Sequence, residues 1–345
     1  MRLDDKRHQQ LPEATPALLR ELAPVYERIA HFMPEAEWAV YAPYVARINE
    51  LKRERNAVIL AHNYQTPDIF YGVADVTGDS LGLAQQAARV DGDVIVQCGV
   101  HFMAESSKIL APEKTVLLPD MDAGCSLAEG ITGADVRLLK ERYPGVPVVV
   151  YVNTSAVVKA EADICCTSSN AVEIVESLGT DRVIFAPDKF LGQWVASQTD
   201  VEIILYEGSC EVHERFTGEE IQTYRKQHPG IHVLAHPECP QDVLQAADYV
   251  GSTSGMIRHL DETTARQVVM ITECSMSDNV AVEHPDKEFV RPCNLCPHMQ
   301  RITLPKILTA LEEMTPEVTV DPAVIRDARR SLDRMLSVGK RRAAA

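Results

Sequence analysis

Several things are missing from this sequence. No apolar run approaches the roughly 20 residues needed to span a bilayer; the longest, VPVVVYV and VEIILY, are of strand length. The first forty residues, beginning MRLDDKRHQQLPEATPALLREL, are charged and lack the apolar centre of a signal peptide. There is no Walker phosphate loop, no GxGxxG and no HExxH, and DMDAG at 120–124 lacks the rest of a calcium loop. Positive charge is in deficit, with 34 Lys and Arg against 50 Asp and Glu and a net charge of -16. That sign argues against nucleic acid, whose phosphates favour a basic partner surface. The expectation is a cytoplasmic globular protein with neither membrane nor nucleic-acid partners.

What is present points to small-molecule chemistry. With 345 residues, 46% of them hydrophobic, the chain is long enough for two or three domains with sizeable cores. Nine cysteines, an odd number, read as free or metal-bound thiols in a reducing compartment. Three apolar, β-branched runs end in polar clusters: AVILAHNYQ at 57–65, VVVYVNTSA at 148–156 and IHVLAHPECP at 231–240. Each reads as a buried parallel strand followed by a functional loop.

These clusters repeat. His62 and His236 lie 174 residues apart, and Tyr151 to Asn153 fall near the midpoint. Serine clusters placed to cap helices follow at Ser80, at Ser168 and Ser169, and at Ser252 and Ser254. Second strands follow around Ile95, Ile184 and Met270, and a third strand-like stretch closes each unit before Cys125, Cys210 and Cys296. A period of about 86 residues predicts an α/β protein of three similar three-layer α/β/α domains with parallel sheets, pseudo-threefold around a common centre. The expected divisions are a helical extension at 1–45, repeats at 46–126, 127–211 and 212–298, and outer helices at 299–345. Ligands in such sheets bind beyond the carboxyl ends of the strands.

The equal spacing lifts Cys125, Cys210 and Cys296 above the ordinary reading of cysteine as a small buried hydrophobe, which Cys98, Cys165, Cys166, Cys239 and Cys274 retain. Three thiolates on separate loops suit a 4Fe-4S cluster with one iron left open as a Lewis acid. Zinc needs a fourth donor, with Cys293 or His298 at hand, and a CxxC redox pair at Cys293 and Cys296 is the third reading. His62, Tyr64, Tyr151, Asn153, His236 and Glu238 occupy the strand ends and supply acid, base and hydrogen-bonding groups. Glu238 is the favoured base, with desolvation expected to raise its pKa toward neutrality. Met103 reads equally as pocket lining or core.

With these motifs assembled, the chain resembles the quinolinate synthase family. The resemblance covers nearly all of residues 50–340 and is carried by AHNYQ, GDSL, GVHFMAE, YVNTSA, TSSNAVE, APDKFLG, HPECP, GSTSGM and CPHM. It implies a pseudo-threefold fold around one 4Fe-4S cluster per chain, held by Cys125, Cys210 and Cys296. It also implies condensation of iminoaspartate with dihydroxyacetone phosphate to quinolinate, with loss of phosphate and two waters, in de novo NAD biosynthesis. An L-aspartate-oxidising enzyme would be the partner that supplies the imine. By the same resemblance Ser80 and Ser168 hold phosphate, and Ser252, Thr253 and His236 hold carboxylates. His62, Tyr64 and Glu238 assist proton transfers, while Tyr151 and Asn153 orient the intermediate. Some members carry CxxCxxC at the last motif; here Arg291, Pro292 and Cys293 precede Cys296, so the first cysteine of that triple is absent. Another open-iron hydro-lyase, or a zinc or thiol-redox scaffold, are the alternatives.

Overall fold

The computed structural model describes residues 11–292 and 294–342; Cys293 and the first ten residues of the expected N-terminal extension lie outside them. Among the described residues twelve strands form three four-stranded sheets, all parallel. The first contains β1 (Ala57–His62), β2 (Val76–Gly78), β3 (Val94–Cys98) and β4 (Thr115–Leu117). The second contains β5 (Val148–Tyr151), β6 (Ile164–Cys166), β7 (Arg182–Ala186) and β8 (Glu202–Leu205). The third contains β9 (His232–Ala235), β10 (Tyr249–Val250), β11 (Gln267–Ile271) and β12 (Glu288–Val290). Their spatial orders, β2-β1-β3-β4, β6-β5-β7-β8 and β10-β9-β11-β12, are the same pattern three times. This is the expected α/β fold of three similar units. The two central strands of each sheet, such as β1 beside β3, are buried on both faces, which is why they read as continuous Val/Ile/Leu runs rather than alternating ones.

The sequence reading gave each unit three strands, and the structure adds a fourth. The additional strands, β2, β6 and β10, are only two or three residues long, too short to register as apolar runs. Each is entered through an aspartate whose carboxylate accepts the backbone N–H of the neighbouring central strand. Asp75, Asp163 and Asp248 take those of Ile59, Val148 and Val233, each at 2.8 Å. A basic residue 23 positions earlier pairs with each: Lys52 at 2.7 Å, Lys140 at 3.4 Å and Arg225 at 3.1 Å. The same ionic clamp therefore fastens the edge strand to the helix before the central strand in all three units.

The helix starts also correct the reading. Asp79 rather than Ser80 caps helix Ser80–Ala87, accepting from Gly82 N–H at 2.8 Å. Asn170 stands at the N-cap of Ala171–Ser177, with Ser168 and Ser169 in the loop before it. Only Ser252 caps as expected, accepting from Gly255 N–H. A carboxylate is a strong acceptor at a helix N-terminus, so Asp79 takes that place and the Ser80 side chain is left for the cavity described below.

Helices outside the three sheets pack on one another and on the sheets. Helix Glu35–Glu54 lies on Leu304–Glu313, and Pro322–Arg342 crosses Ala156–Glu161 and β6. One continuous core joins the first two sheets with these helices. The third sheet keeps a core on each face: Val233, Ala235, Val269 and Ile271 on one, Leu234, Val268 and Met270 on the other. That alternation is the period of two expected of a sheet covered on both sides.

Asp163→Ala removes the anchor of β6 and should destabilise the protein by about 2 kcal/mol, the usual worth of a hydrogen bond to a charged group. Asp163→Asn, which keeps an acceptor, should lose less than half of that. Thermal denaturation of the two variants checks it; an alanine variant as stable as its parent would show the clamp to be idle.

Candidate active site

Beyond the carboxyl ends of the strands lies a cavity lined from all three sheets. Register explains its composition. His62, Tyr151 and His236 each stand three residues after the strand residue bound by the aspartate clamp, and Tyr64, Asn153 and Glu238 follow two positions later. Parallel sheets of one topology thus bring six predicted polar residues to the same place, and all six line the cavity. Ser80, Ser168 and Thr253 line it as well. Ser252 does not; it is buried as the helix cap. Met103 is core, 4% exposed, and lines a smaller void behind the cavity wall.

Three hydrogen bonds close a ring around the cavity. Ser169 Oγ donates to Asp79 at 2.8 Å, Ser168 Oγ meets His236 Nε2 at 3.2 Å, and Asn63 Nδ2 donates to Thr253 Oγ1 at 3.0 Å. Asn153 Oδ1 is buried without a hydrogen-bond partner among the described residues, as befits a group kept for a ligand.

The three predicted cysteines all line this cavity. Each opens a helical turn, and each sulfur accepts backbone N–H groups from the residues two and three positions on. The donors are Leu127 and Ala128 for Cys125, Val212 and His213 for Cys210, and His298 and Met299 for Cys296. Burial pushes the Cys125 thiol up to about 12 and Cys296 to about 11, and it raises Cys210 well above the ordinary thiol value. Buried sulfurs provided with paired N–H donors suit thiolates neutralised by bound metal. One tetrahedral ion about 2.3 Å from each sulfur would draw them to within roughly 4 Å of one another. The three sulfurs are not all within 4.8 Å of each other; among the described residues only Cys210, His213 and Glu238 form a group of three donors that are. The cysteines therefore fit a polynuclear cluster better than one ion.

Glu238, 3% exposed, accepts from Tyr151 Oη at 2.5 Å and lies 2.9 Å from His213 Nδ1. Burial pushes its carboxyl up, but the neighbouring His213 and His236 and the hydrogen bonds from His213 and Tyr151 outweigh burial and hold it well below the usual carboxylate range. The expected upward shift is thus reversed, because donors were already in place. The near-neutral carboxyl is instead Glu273, which burial raises to about 7. Burial lowers His62 to about 4 and His236 to about 3, so both are neutral imidazoles at pH 7, and it raises both Tyr64 and Tyr151, which stay phenols.

A family profile described as Quinolinate synthetase A protein matches residues 46–337. The chain belongs to this family. A quinolinate synthase of Sinorhizobium fredii is 61% identical over 324 residues, covering 94% of this chain and 90% of that protein. One from Agrobacterium fabrum is 61% identical over 316 residues (92% of each), and one from Caulobacter vibrioides 57% over 328 residues (94% and 89%). The chain is an enzyme of the quinolinate synthetase A family.

Sequence reasoning missed His213, Asp79 and Glu273, which also line the cavity. His213 carried a signal in GSCEVH, three residues after a candidate ligand, where one helical turn returns its ring to the sulfur; Nδ1 lies 3.2 Å from Cys210 Sγ. Glu273 gave none, since its contact with Cys296 N–H spans 23 residues between loops.

The depressed imidazoles predict a pH effect. Between pH 7 and pH 5 the unfolded chain protonates His62 and His236 near their ordinary pKa of about 6.5, while the folded protein does not. Stability therefore falls with pH across this window, by on the order of 2 kcal/mol per histidine. His236→Gln should flatten the slope of Tm against pH; an unchanged slope would show that His236 protonates freely when folded.

Proposed function

We propose that the chain condenses iminoaspartate with dihydroxyacetone phosphate to quinolinate, releasing phosphate and two waters, with one 4Fe-4S cluster held by Cys125, Cys210 and Cys296. Atoms balance in that reaction without an oxidant or reductant, so the protein has only to supply binding, dehydration and proton transfer. The observation that carries the reading is three cysteines with one N–H pattern in one cavity, too spread for one ion, facing a ring of acid, base and hydrogen-bonding side chains. When bound, such a cluster supplies an iron without a protein ligand, a Lewis acid for a substrate oxygen or nitrogen.

The chain's own groups divide the remaining work by protonation state. Glu238 is an ionised acceptor that holds the Tyr151 phenol and the His213 imidazole in place. Tyr64 and Tyr151 keep their phenolic protons and donate hydrogen bonds. His62 and His236, neutral, donate to carboxylate or phosphate oxygens without adding a buried charge. Helices Ser80–Ala87 and Thr253–Glu262 open at the cavity wall and add backbone N–H groups and dipole for anionic substrate groups, with Ser80, Ser168 and Thr253 beside them. Asn153 offers its unpartnered Oδ1 to a substrate N–H or O–H. The imine hydrolyses readily in water, which favours an L-aspartate-oxidising enzyme as the supplying partner, in the reducing cytoplasm that keeps the thiols free. No helix among the described residues is long and apolar enough to cross a membrane.

A second reading, a single zinc ion, has one observation in its favour: the close grouping of Cys210, His213 and Glu238. Metal analysis separates the two. Protein purified without oxygen and reconstituted should contain about four iron and four sulfide per chain and make quinolinate from the two substrates. Cys125→Ala, Cys210→Ala and Cys296→Ala should each lose the cluster's visible absorbance and all activity. Near-stoichiometric zinc without iron, or a normal cluster in Cys210→Ala, would overturn the assignment.

A further inference from the structure

A lysine is sealed in the protein beside the cavity wall. Lys159, in helix Ala156–Glu161, is 0% exposed and one of the largest fully buried side chains of the molecule. Its Nζ donates to the backbone carbonyl of Thr154 and stands 5.4 Å from the centre of the Phe102 ring. Among the described residues it makes no ion pair. Burial pulls its pKa down and the Glu105 carboxylate opposes that, but Glu105 is itself engaged, accepting the Ala156 N–H at 2.9 Å. Burying an amine head group without a carboxylate is costly to the fold, and an apolar side chain of the same size is often neutral or stabilising in such a place. Stability alone therefore does not account for a lysine here.

What Lys159 holds is the turn that carries Asn153. Strand β5 ends at Tyr151, and Asn153 follows with its Oδ1 buried, unpartnered and at the cavity. Thr154, 0% exposed, ties the turn back to the strand: its N–H donates to Val152 O at 2.8 Å and its Oγ1 to Tyr151 O at 3.0 Å. Ser155 then caps the helix, accepting from Val158 N–H at 3.4 Å. Lys159 grips two successive carbonyls of this turn, Ser155 O through its backbone N–H at 3.1 Å and Thr154 O through its side chain. Glu105 and Phe102 belong to helix His101–Leu110 of the first unit, so a neighbouring unit holds the turn as well. The Thr154 carbonyl precedes the helix and receives no helical N–H. Without the lysine it would be a buried acceptor left unmade, and the turn would have to open to reach water.

We propose that Lys159 is a positioning residue, its buried head group fixing the Thr154 carbonyl so that the turn presents Asn153 to the bound ligand in one orientation. The lysine touches no ligand itself and acts through the backbone of 152–155. A hydrogen-bonding group that must be re-ordered on binding costs about 10-fold in affinity, which sets the scale of the effect.

The test is Lys159→Met, which keeps the reach of the side chain and removes its donors, set in a double-mutant cycle with Asn153→Ala. One arm reads the affinity for quinolinate and rests on the proposed reaction; the other, hydrogen exchange of the backbone amides of 152–158, does not. The methionine variant should load normal iron and sulfide and unfold no lower than its parent. Its Thr154 and Ala156 amides, now bonded to Val152 O and Glu105, should exchange roughly 10-fold faster. Lys159→Met and Asn153→Ala should each weaken quinolinate binding by about 10-fold, and Asn153→Ala in the methionine background by less than about 2-fold more, because both disable one contact. Unchanged exchange in the turn would overturn the proposal. So would additive losses in the cycle, or a methionine variant that fails to fold or to load the cluster, since either would mean that Lys159 merely supports the fold. If the parent carries its cluster but binds no quinolinate, the assigned reaction fails, and exchange in the turn still decides the role of Lys159.

Discussion

A buried carboxylate that must never be left unpaired organises the centre of this molecule. Removing the partners of a buried charge costs several kcal/mol, far more than any one of the surrounding contacts contributes. Glu238 meets that requirement with donors it cannot obtain from its own loop: the Tyr151 phenol comes from the end of β5 and the His213 imidazole from the helical turn that follows β8. His213 in turn reaches Thr272 and Tyr64, so strands β1, β5, β8, β9 and β11 are all referred to one ionised group. The chemistry expected of the site therefore rests on a condition that is first of all electrostatic.

That condition can be met only because three sheets of identical topology end at one place. Each sheet sets its own register with the same device, an aspartate on the backbone of the central strand and a basic residue 23 positions earlier. A shift of one residue in any sheet would turn its functional side chain to the opposite face. The clamp is partly exposed, so its ion pair is screened and its hydrogen bond to the strand does most of the holding. Stability and active-site geometry are linked through the strand register, and neither needs the other's residues.

Much of this was legible in the sequence. A threefold period in histidines and cysteines is visible because parallel α/β units put chemistry at the same strand end each time, and six polar residues and three thiols followed from it. What was not legible has physical reasons. Strands β2, β6 and β10 are too short to leave a pattern, although the Asp75, Asp163 and Asp248 series with its basic partners was there to be counted. The cap at Asp79 was hidden by a neighbouring serine that is an equally good capping residue. Thr272 and Glu273 look like an ordinary strand ending, and only contacts across long separations give them meaning. The direction of the Glu238 shift also depends on partners that no local motif records.

The thiols complete the electrostatic logic. Three thiolates beside an ionised Glu238 would place four negative charges around one cavity, and burial avoids this by raising each thiol far above neutrality. Protonated thiols are poor ligands, so binding metal here must release protons, and affinity must rise with pH until the sulfurs are committed. The paired backbone N–H groups at each sulfur lower that barrier without adding a titratable charge. They are supplied by the helical turn that each cysteine opens, and the turn is fixed by the fold. The same three turns therefore give each sulfur the donors an ionised thiolate needs, while burial keeps the thiols neutral until a ligand takes the proton's place.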